Sequence, residues 1–377
     1  MSTFKKAEKK IDFVFLGIVS ALVIFGLIIF LSASFGVLAK NETKFYGILF
    51  NQIVLGLGGG VIALIVGMSI PYQFWRKYAF YIFIASIIIT ALVLVPGLGF
   101  HHGGATRWLR IGPVSFQPVE LLKFGFVSYL AAWIAWVKPK TEQIKKVIVP
   151  ALFLLAVVSF VLILQPDTKN LVLLVFTAIV MLFVAKIPMK YIGILALIGL
   201  IGLGGLIAVK DHARSRVLTY LSVLRPDRFN QDDLGRNFQI NQSTLAIGVG
   251  GVWGRGLGQS IQKFTHLPEP QGDSVFAVLA EELGFIGVLF LLILYMLFAL
   301  RGLKIASHSP DTFSRLLVTG IVILIISQSF LNIASMSGLL PLTGVPLVFV
   351  SHGGTALAFA LFSMGVVLQV SKHQLSL

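Results

Sequence analysis

Acidic side chains are scarce in this chain, 15 Asp and Glu against 30 Lys and Arg in 377 residues, so a carboxylate beside an apolar run invites a chemical reading. The strongest case is Asp273, in LPEPQGDSVFAVLAEELGFIG, with Glu269, Glu281 and Glu282 close by. A carboxylate at the watered mouth of an apolar segment can take a proton from a hydroxyl. It can also simply cap the helix that follows, where exposed amides and the helix dipole favour negative charge. Glu120 and Lys123, in QPVELLKFG, stand three residues apart and share one helical face. They read as a structural ion pair or as the lining of a polar cavity. Asp167, in LILQPDTKN, either caps the next helix or faces the same cavity. Cations stand ready for an anionic partner: Arg107 and Arg110 flank Trp108, and Arg214, Arg216, Arg255 and Lys263 lie further on. Guanidinium groups meet phosphates through paired hydrogen bonds. His101 and His102 have no evident third metal ligand.

The elements that must position these groups are membrane helices. Hydrophobic residues make up 57%, charged residues 12%, and the mean hydropathy is +0.93. Apolar runs of about 18 residues or more recur along the chain, each able to cross a hydrocarbon core of ~30 Å. Helices satisfy their own backbone in lipid, so the expected fold is all-α, one polytopic domain over residues 1–377. The pattern predicts about ten spans, near 12–35, 46–70, 76–96, 118–137, 146–165, 169–187, 190–209, 275–300, 312–335 and 346–371. The first run is too long for a signal peptide and lacks a small-residue cleavage site.

Basic residues cluster before the first span and after the second, fourth, sixth and eighth. This predicts both termini in the cytoplasm and a large external loop over about 210–274. The formal charge of +15 then reflects orientation and anionic headgroups, with no nucleic-acid partner. Cysteine is absent, so disulfides and thiolate metal sites are excluded. Within the loop, residues 214–224 suit an interfacial helix. The run IGVGGVWGRGLGQS is Gly-rich enough for its amides to approach phosphate oxygens. Gly56, Gly58, Gly59 and Gly60, and Gly202, Gly204 and Gly205, predict close helix packing. Pro341, Pro346, Gly353 and Gly354 break the last hairpin, which is tolerated at membrane depth only where buried or lining a cavity. The loop, the fourth span and this hairpin can therefore converge on one site.

Five stretches in this order, RWLRIGPVSFQPVELLK, ILQPD, NQSTLAIGVGGVWGRGLGQSIQKF, LPEPQGDSVFAVLAEELGFIG and GLLPLTGVPLVFVSHGG, resemble the SEDS family (shape, elongation, division and sporulation; the FtsW, RodA and SpoVE type). The wording QSIQKF–LPE is nearer the division branch. The resemblance covers nearly the whole chain and implies a peptidoglycan glycosyltransferase polymerising lipid II on the outer face of the cytoplasmic membrane. It implies an essential acid at Asp273, a Glu–Lys pair at Glu120 and Lys123, an aspartate at Asp167, and a class B penicillin-binding protein as partner. This sequence departs from the family pattern at Gln271 and Gly272 (usually His–Thr), Val119, Lys169, Asn170 and His352.

For such a reaction Asp273 would deprotonate the acceptor 4-hydroxyl, and inversion needs only that one carboxylate in line. Arg214, Arg216, Arg255, Lys263 and Lys123 are candidates to balance the pyrophosphate. A divalent Mg or Mn ion could share that role, though the sequence shows no ligand set. Two rival classes suit the same residues: a flippase of lipid-linked precursors, which would not lengthen a glycan, and a non-catalytic scaffold of the division machinery, in which Asp273 would be dispensable.

Overall fold

Each apolar run closes into a helix because lipid offers no partner for a free backbone amide or carbonyl. The computed structural model describes residues 10–102, 105–111, 114–137, 145–209, 211–223 and 231–374. In chain order the helices are α1 (Phe13–Leu38), α2 (Glu42–Ser69), α3 (Tyr72–Ala91), α4 (Pro118–Val137), α5 (Lys145–Leu164), α6 (Thr168–Val184) and α7 (Met189–Val209). They continue with α8 (Asp211–Val223), α9 (Gln231–Gly250), α10 (Gln262–Thr265), α11 (Val275–Ser307), α12 (Thr312–Met336) and α13 (Gly354–Ser371). Among the described residues nine helices are long and apolar enough to span a membrane, and α6 is a shorter apolar helix. The ten segments match the expected spans one for one. The last starts later than expected, at Gly354, because residues 337–353 are irregular. Lys5, Lys6, Lys9, Lys138 and Lys140 of the basic clusters lie outside the described residues.

Polar side chains set several helix starts. Asp12 accepts from the Phe15 amide at 2.9 Å, capping α1, and its carboxylate also meets Arg301 of α11 at 2.9 Å. Asn41 caps α2, and Asp311 with Ser314 forms a capping box on α12. Such caps contribute about 1 kcal/mol each. Lateral packing in lipid relies on small residues and close backbone approach rather than on hydrophobic burial. The expected glycine seam of α2 is real at Gly56 and Gly60. A Cβ at Gly60 would stand 2.6 Å from Leu361, and one at Gly56 would stand 3.1 Å from Gly354, both in α13. Among the described residues Gly202, Gly204 and Gly205 of α7 have no such neighbour within 4 Å, so the packing expected there is not found among them.

Two features differ from the sequence reading. The segment before α4 forms a small antiparallel sheet, β1 (Gly99–His102), β2 (Ala105–Ile111) and β3 (Val114–Phe116), in the order β1-β2-β3. Short strands whose pairing is local leave little periodic signal. The interval 210–274 holds the helix expected near 214–224, α8, and beyond it two that were not expected, α9 and α10, with Ile240, Ser243 and Ala246 of α9 buried.

The Gly-rich run after α9 does not offer its amides outward. It fills a break in α11 at Gly284, whose φ of 63° takes the helix out of register. Arg255 and Gly256 amides donate to the Glu281 and Glu282 carbonyls at 3.0 and 2.9 Å. Phe285 and Ile286 amides return to Gly251 and Val252 at 2.9 and 3.2 Å. A Cβ on Gly254 would sit 2.2 Å from the Glu282 carbonyl oxygen, so only glycine fits this clasp.

Candidate active site

The irregular run 337–353 between α12 and α13 is the frame of the site. Its freed backbone groups are satisfied by side chains reaching from many elements, which is what makes broken backbone tolerable here. Gln52 of α2 donates to the Ser351 carbonyl at 3.3 Å and accepts from the Gly353 amide at 2.9 Å. Gln328 and Asn332, one turn apart on α12, donate to the Pro346 carbonyl at 3.3 Å and the Val345 carbonyl at 2.7 Å. Arg216 of α8 donates to Thr343 O at 3.1 Å, Tyr220 of α8 to Leu339 O at 2.8 Å, and Lys169 of α6 to Gly344 O.

Asp273 is tied to this frame. The Asn332 amide that holds Val345 also donates to the Asp273 carbonyl at 2.8 Å. On the same strand of chain, Ser351 Oγ donates to Gly272 O at 2.8 Å and the His352 amide to Gln271 O at 2.7 Å. Gln271 and Gly272 are buried, and Asp273 is half-buried at the edge. It stands next to the N-cap of α11, Ser274, as the capping alternative expects, but makes no capping hydrogen bond there. Among the described residues the Asp273 carboxylate accepts no hydrogen bond and pairs with no cation within 4 Å. Its nearest constraint is Gly344, at φ 63°, where a Cβ would stand 3.1 Å from Oδ2.

Cations surround this carboxylate without neutralising it directly. Arg107 on β2 donates to Gln165 O at 3.4 Å and also to Pro166 O, which places it over the turn that carries Asp167. Asp167 is fully buried. It stands at the N-cap of α6 as one reading had it, but its side chain accepts no amide there, and its Oδ2 accepts from the Asn170 side chain at 2.8 Å. Burial and the Arg107 guanidinium pull the Arg216 pKa below its ordinary value, and Asp273 and Asp167 pull it back up. Lys169 lies within electrostatic reach of the same four groups.

Glu120 in the first turn of α4 and Lys123 one turn on are paired at 2.7 Å, and Lys123 also donates to Gln328 at 2.8 Å. They border a cavity of about 50 Å³ with Gln328, Pro346, Ser351 and His352, room for a few ordered waters. A polar chain therefore runs from Glu120 through Lys123 and Gln328 to Pro346, one residue from the carbonyl that shares Asn332 with Asp273.

Other expected residues stand apart from Asp273. Lys263 is fully buried and pairs with Glu282 at 2.6 Å beside Ser32. Arg255 lies 3.7 Å from Glu281. Glu281 accepts from Ser260 Oγ and from the Ile261 amide, at 2.5 and 2.9 Å. Arg110 is exposed and lies over the Phe100 ring at 5.7 Å, and Arg214 is exposed on α8. Sequence reasoning missed Lys169, Gln328 and Asn332 as members of the site. The signal available was polarity inside apolar spans, which is costly unless used. Among the described residues no group of three or more His, Asp or Glu side chains could hold a metal ion.

The FtsW/RodA/SpoVE cell cycle protein family matches residues 12–376. Stage V sporulation protein E of Bacillus subtilis is 38% identical over 320 residues, 85% of this chain and 86% of that one. The probable peptidoglycan glycosyltransferase FtsW of Geobacter sulfurreducens is 36% identical over 369 residues, 98% of this chain and 97% of that one. Among solved structures, a chain of a peptidoglycan synthase complex that coordinates polymerization and crosslinking superposes with a TM-score of 0.76 at 30% identity, covering 96% of this chain and 97% of its own. Rod shape determining protein RodA of Thermus thermophilus gives 0.69 at 27% identity, covering 97% and 98%. The chain therefore belongs to the FtsW/RodA/SpoVE cell cycle protein family.

Proposed function

We propose that this chain is a multi-pass membrane peptidoglycan glycosyltransferase of cell division, which joins lipid II units into glycan strands and releases undecaprenyl pyrophosphate. The observation that carries the reading is Asp273: half-buried, with its main chain pinned by Asn332 and its carboxylate free among the described residues. Relatives named as peptidoglycan glycosyltransferases over nearly their full length support the same class.

In the reaction the Asp273 carboxylate takes the proton of the acceptor sugar 4-hydroxyl. The oxygen attacks the anomeric carbon of the donor, and the bond to the diphosphate breaks with its electron pair going to the leaving group. One carboxylate in line with attack suffices for inversion. Arg107 and Arg216 are placed to balance the charge that develops on the diphosphate. The Glu120–Lys123 pair holds the frame through Gln328 rather than meeting the reacting atoms. The site faces outside and both termini face the cytoplasm, on the asymmetry of basic loops. A class B penicillin-binding protein is the expected partner, in keeping with the synthase complex among the structural relatives.

The test is conversion of labelled lipid II into glycan ladders by the purified chain with that transpeptidase. Ladders from wild type support the enzyme. Accelerated lipid II flipping in proteoliposomes with no ladders under any condition would place the chain among transporters instead.

A further inference from the structure

Lys169 from α6 and Arg216 from α8 bind the turn beside Asp273, and Arg107 from β2, on the turn that carries Asp167, lies within electrostatic reach of both. Each is hydrogen-bonded to main-chain carbonyls, at Gly344, at Thr343, and at Gln165 and Pro166 respectively. Among the described residues none makes an ion pair with a carboxylate within 4 Å. Two carboxylates, Asp167 and Asp273, act on Lys169 and Arg216 at longer range. Among the described residues three positive groups stand against two negative ones in a partly desolvated region, leaving a charge that an anion would compensate. The start of α6 also lies here and carries no side-chain cap, so its first amides add to the same potential.

Lys169 lies near the proposed base. A Cβ placed on Gly344 would be 3.1 Å from Asp273 Oδ2 and 3.8 Å from Lys169 Nζ, which limits the ammonium–carboxylate separation to about 7 Å. A single hydrogen bond to Gly344 O leaves two of the three ammonium donors unused by the described residues.

We propose that Lys169 is a substrate-contacting residue whose ammonium binds the diphosphate of the lipid-linked donor, completing a cradle with Arg107 and Arg216. The inference rests on the reading of Asp273 as the base. As the anomeric carbon–oxygen bond breaks, the negative charge gained by the departing diphosphate falls on Lys169, while the acceptor proton goes to Asp273. No further reactant is needed.

The experiment uses the full chain with its transpeptidase partner and compares wild type, Lys169→Met, Lys169→Arg and Asp273→Asn. Two quantities are read: the KM for lipid II, and the inhibition constant of inorganic pyrophosphate, a probe that carries the phosphates without the lipid or sugar. Loss of a charge-assisted contact predicts that Lys169→Met raises both by about tenfold or more. Lys169→Arg should recover most of the loss, with thermal melting of both variants near wild type. Pyrophosphate inhibition within twofold of wild type in a folded Lys169→Met would overturn the proposal, as would equal losses in Met and Arg variants with inhibition unchanged. Asp273→Asn separates the two readings. Loss of polymerisation with pyrophosphate binding intact, measured by calorimetry, keeps both. Normal polymerisation by Asp273→Asn would remove the base and leave Lys169 to be judged by the pyrophosphate constant alone.

Discussion

Replacing Asn332 by leucine should cost far more activity than stability. The side chain is fully buried on α12, and its amide donates to both the Asp273 and Val345 carbonyls, at 2.8 and 2.7 Å. Leucine keeps the volume and removes both donors. A buried carbonyl left without a partner costs about 1–3 kcal/mol. Polar contacts inside membrane proteins average only about 0.6 kcal/mol because the unfolded reference also finds partners. Two lost bonds therefore bracket a destabilisation of roughly 1–6 kcal/mol. The catalytic effect follows from geometry instead. Freed from Asn332, the residue that carries the carboxylate can shift against the turn at Gly344, and about 1 Å of misplacement costs on the order of 10²-fold in rate. The assay is the initial rate of glycan ladder formation beside a thermal melt of the same sample. A rate within twofold of wild type with an unmoved melt would refute the idea that Asn332 positions Asp273.

Other outcomes follow from the same contacts. Gly344→Ala puts a Cβ 3.1 Å from Asp273 Oδ2 at a backbone φ of 63°. It should strain the turn by about 1–2 kcal/mol and lower the polymerisation rate at least ~10-fold, read by the same gel and melt. Lys263→Met strands the fully buried Glu282 carboxylate and should destabilise by about 3–5 kcal/mol. Lys263→Met combined with Glu282→Leu should regain most of that melting temperature with lipid II KM unchanged, because the pair stands apart from Asp273. Burial, helped by Lys44, lowers the His352 pKa to about 4, while an unfolded histidine titrates near ~6.5. The unfolded chain thus binds the extra proton first, and the stability this residue contributes is lost as pH falls from about 6.5 towards 4. His352→Gln should flatten that stretch of the melting-versus-pH curve.

Much of this architecture was legible in the residues themselves. Hydropathy located the spans because lipid forces each apolar run to be a helix, and the spacing of Glu120 and Lys123 on one face became a 2.7 Å pair. Pro341, Pro346 and Gly353 marked the break at 337–353 correctly. Lys263 looked like a cation for a ligand because it sits in a Gly-rich polar stretch. Its partner, Glu282, is 19 residues on and meets it only once α11 breaks at Gly284. The same break explains the glycines at 251–256, which read locally as a phosphate loop and serve as a clasp. Lys169 stood out only as a departure from the family pattern, since nothing in its neighbours announces the turn at Gly344 some 175 positions away. Gln328 and Asn332 were visible as polar residues in an apolar span, but which groups they hold depends on the irregular run that follows.

The central claim is that the Asp273 carboxylate is the base for polymerisation. Its most direct test is Asp273→Asn in the purified chain with its transpeptidase, scored by glycan ladders from labelled lipid II. The predicted result is a rate lower by at least ~10²-fold, with thermal melting and pyrophosphate binding retained. Ladders formed at the wild-type rate by the asparagine variant would contradict it.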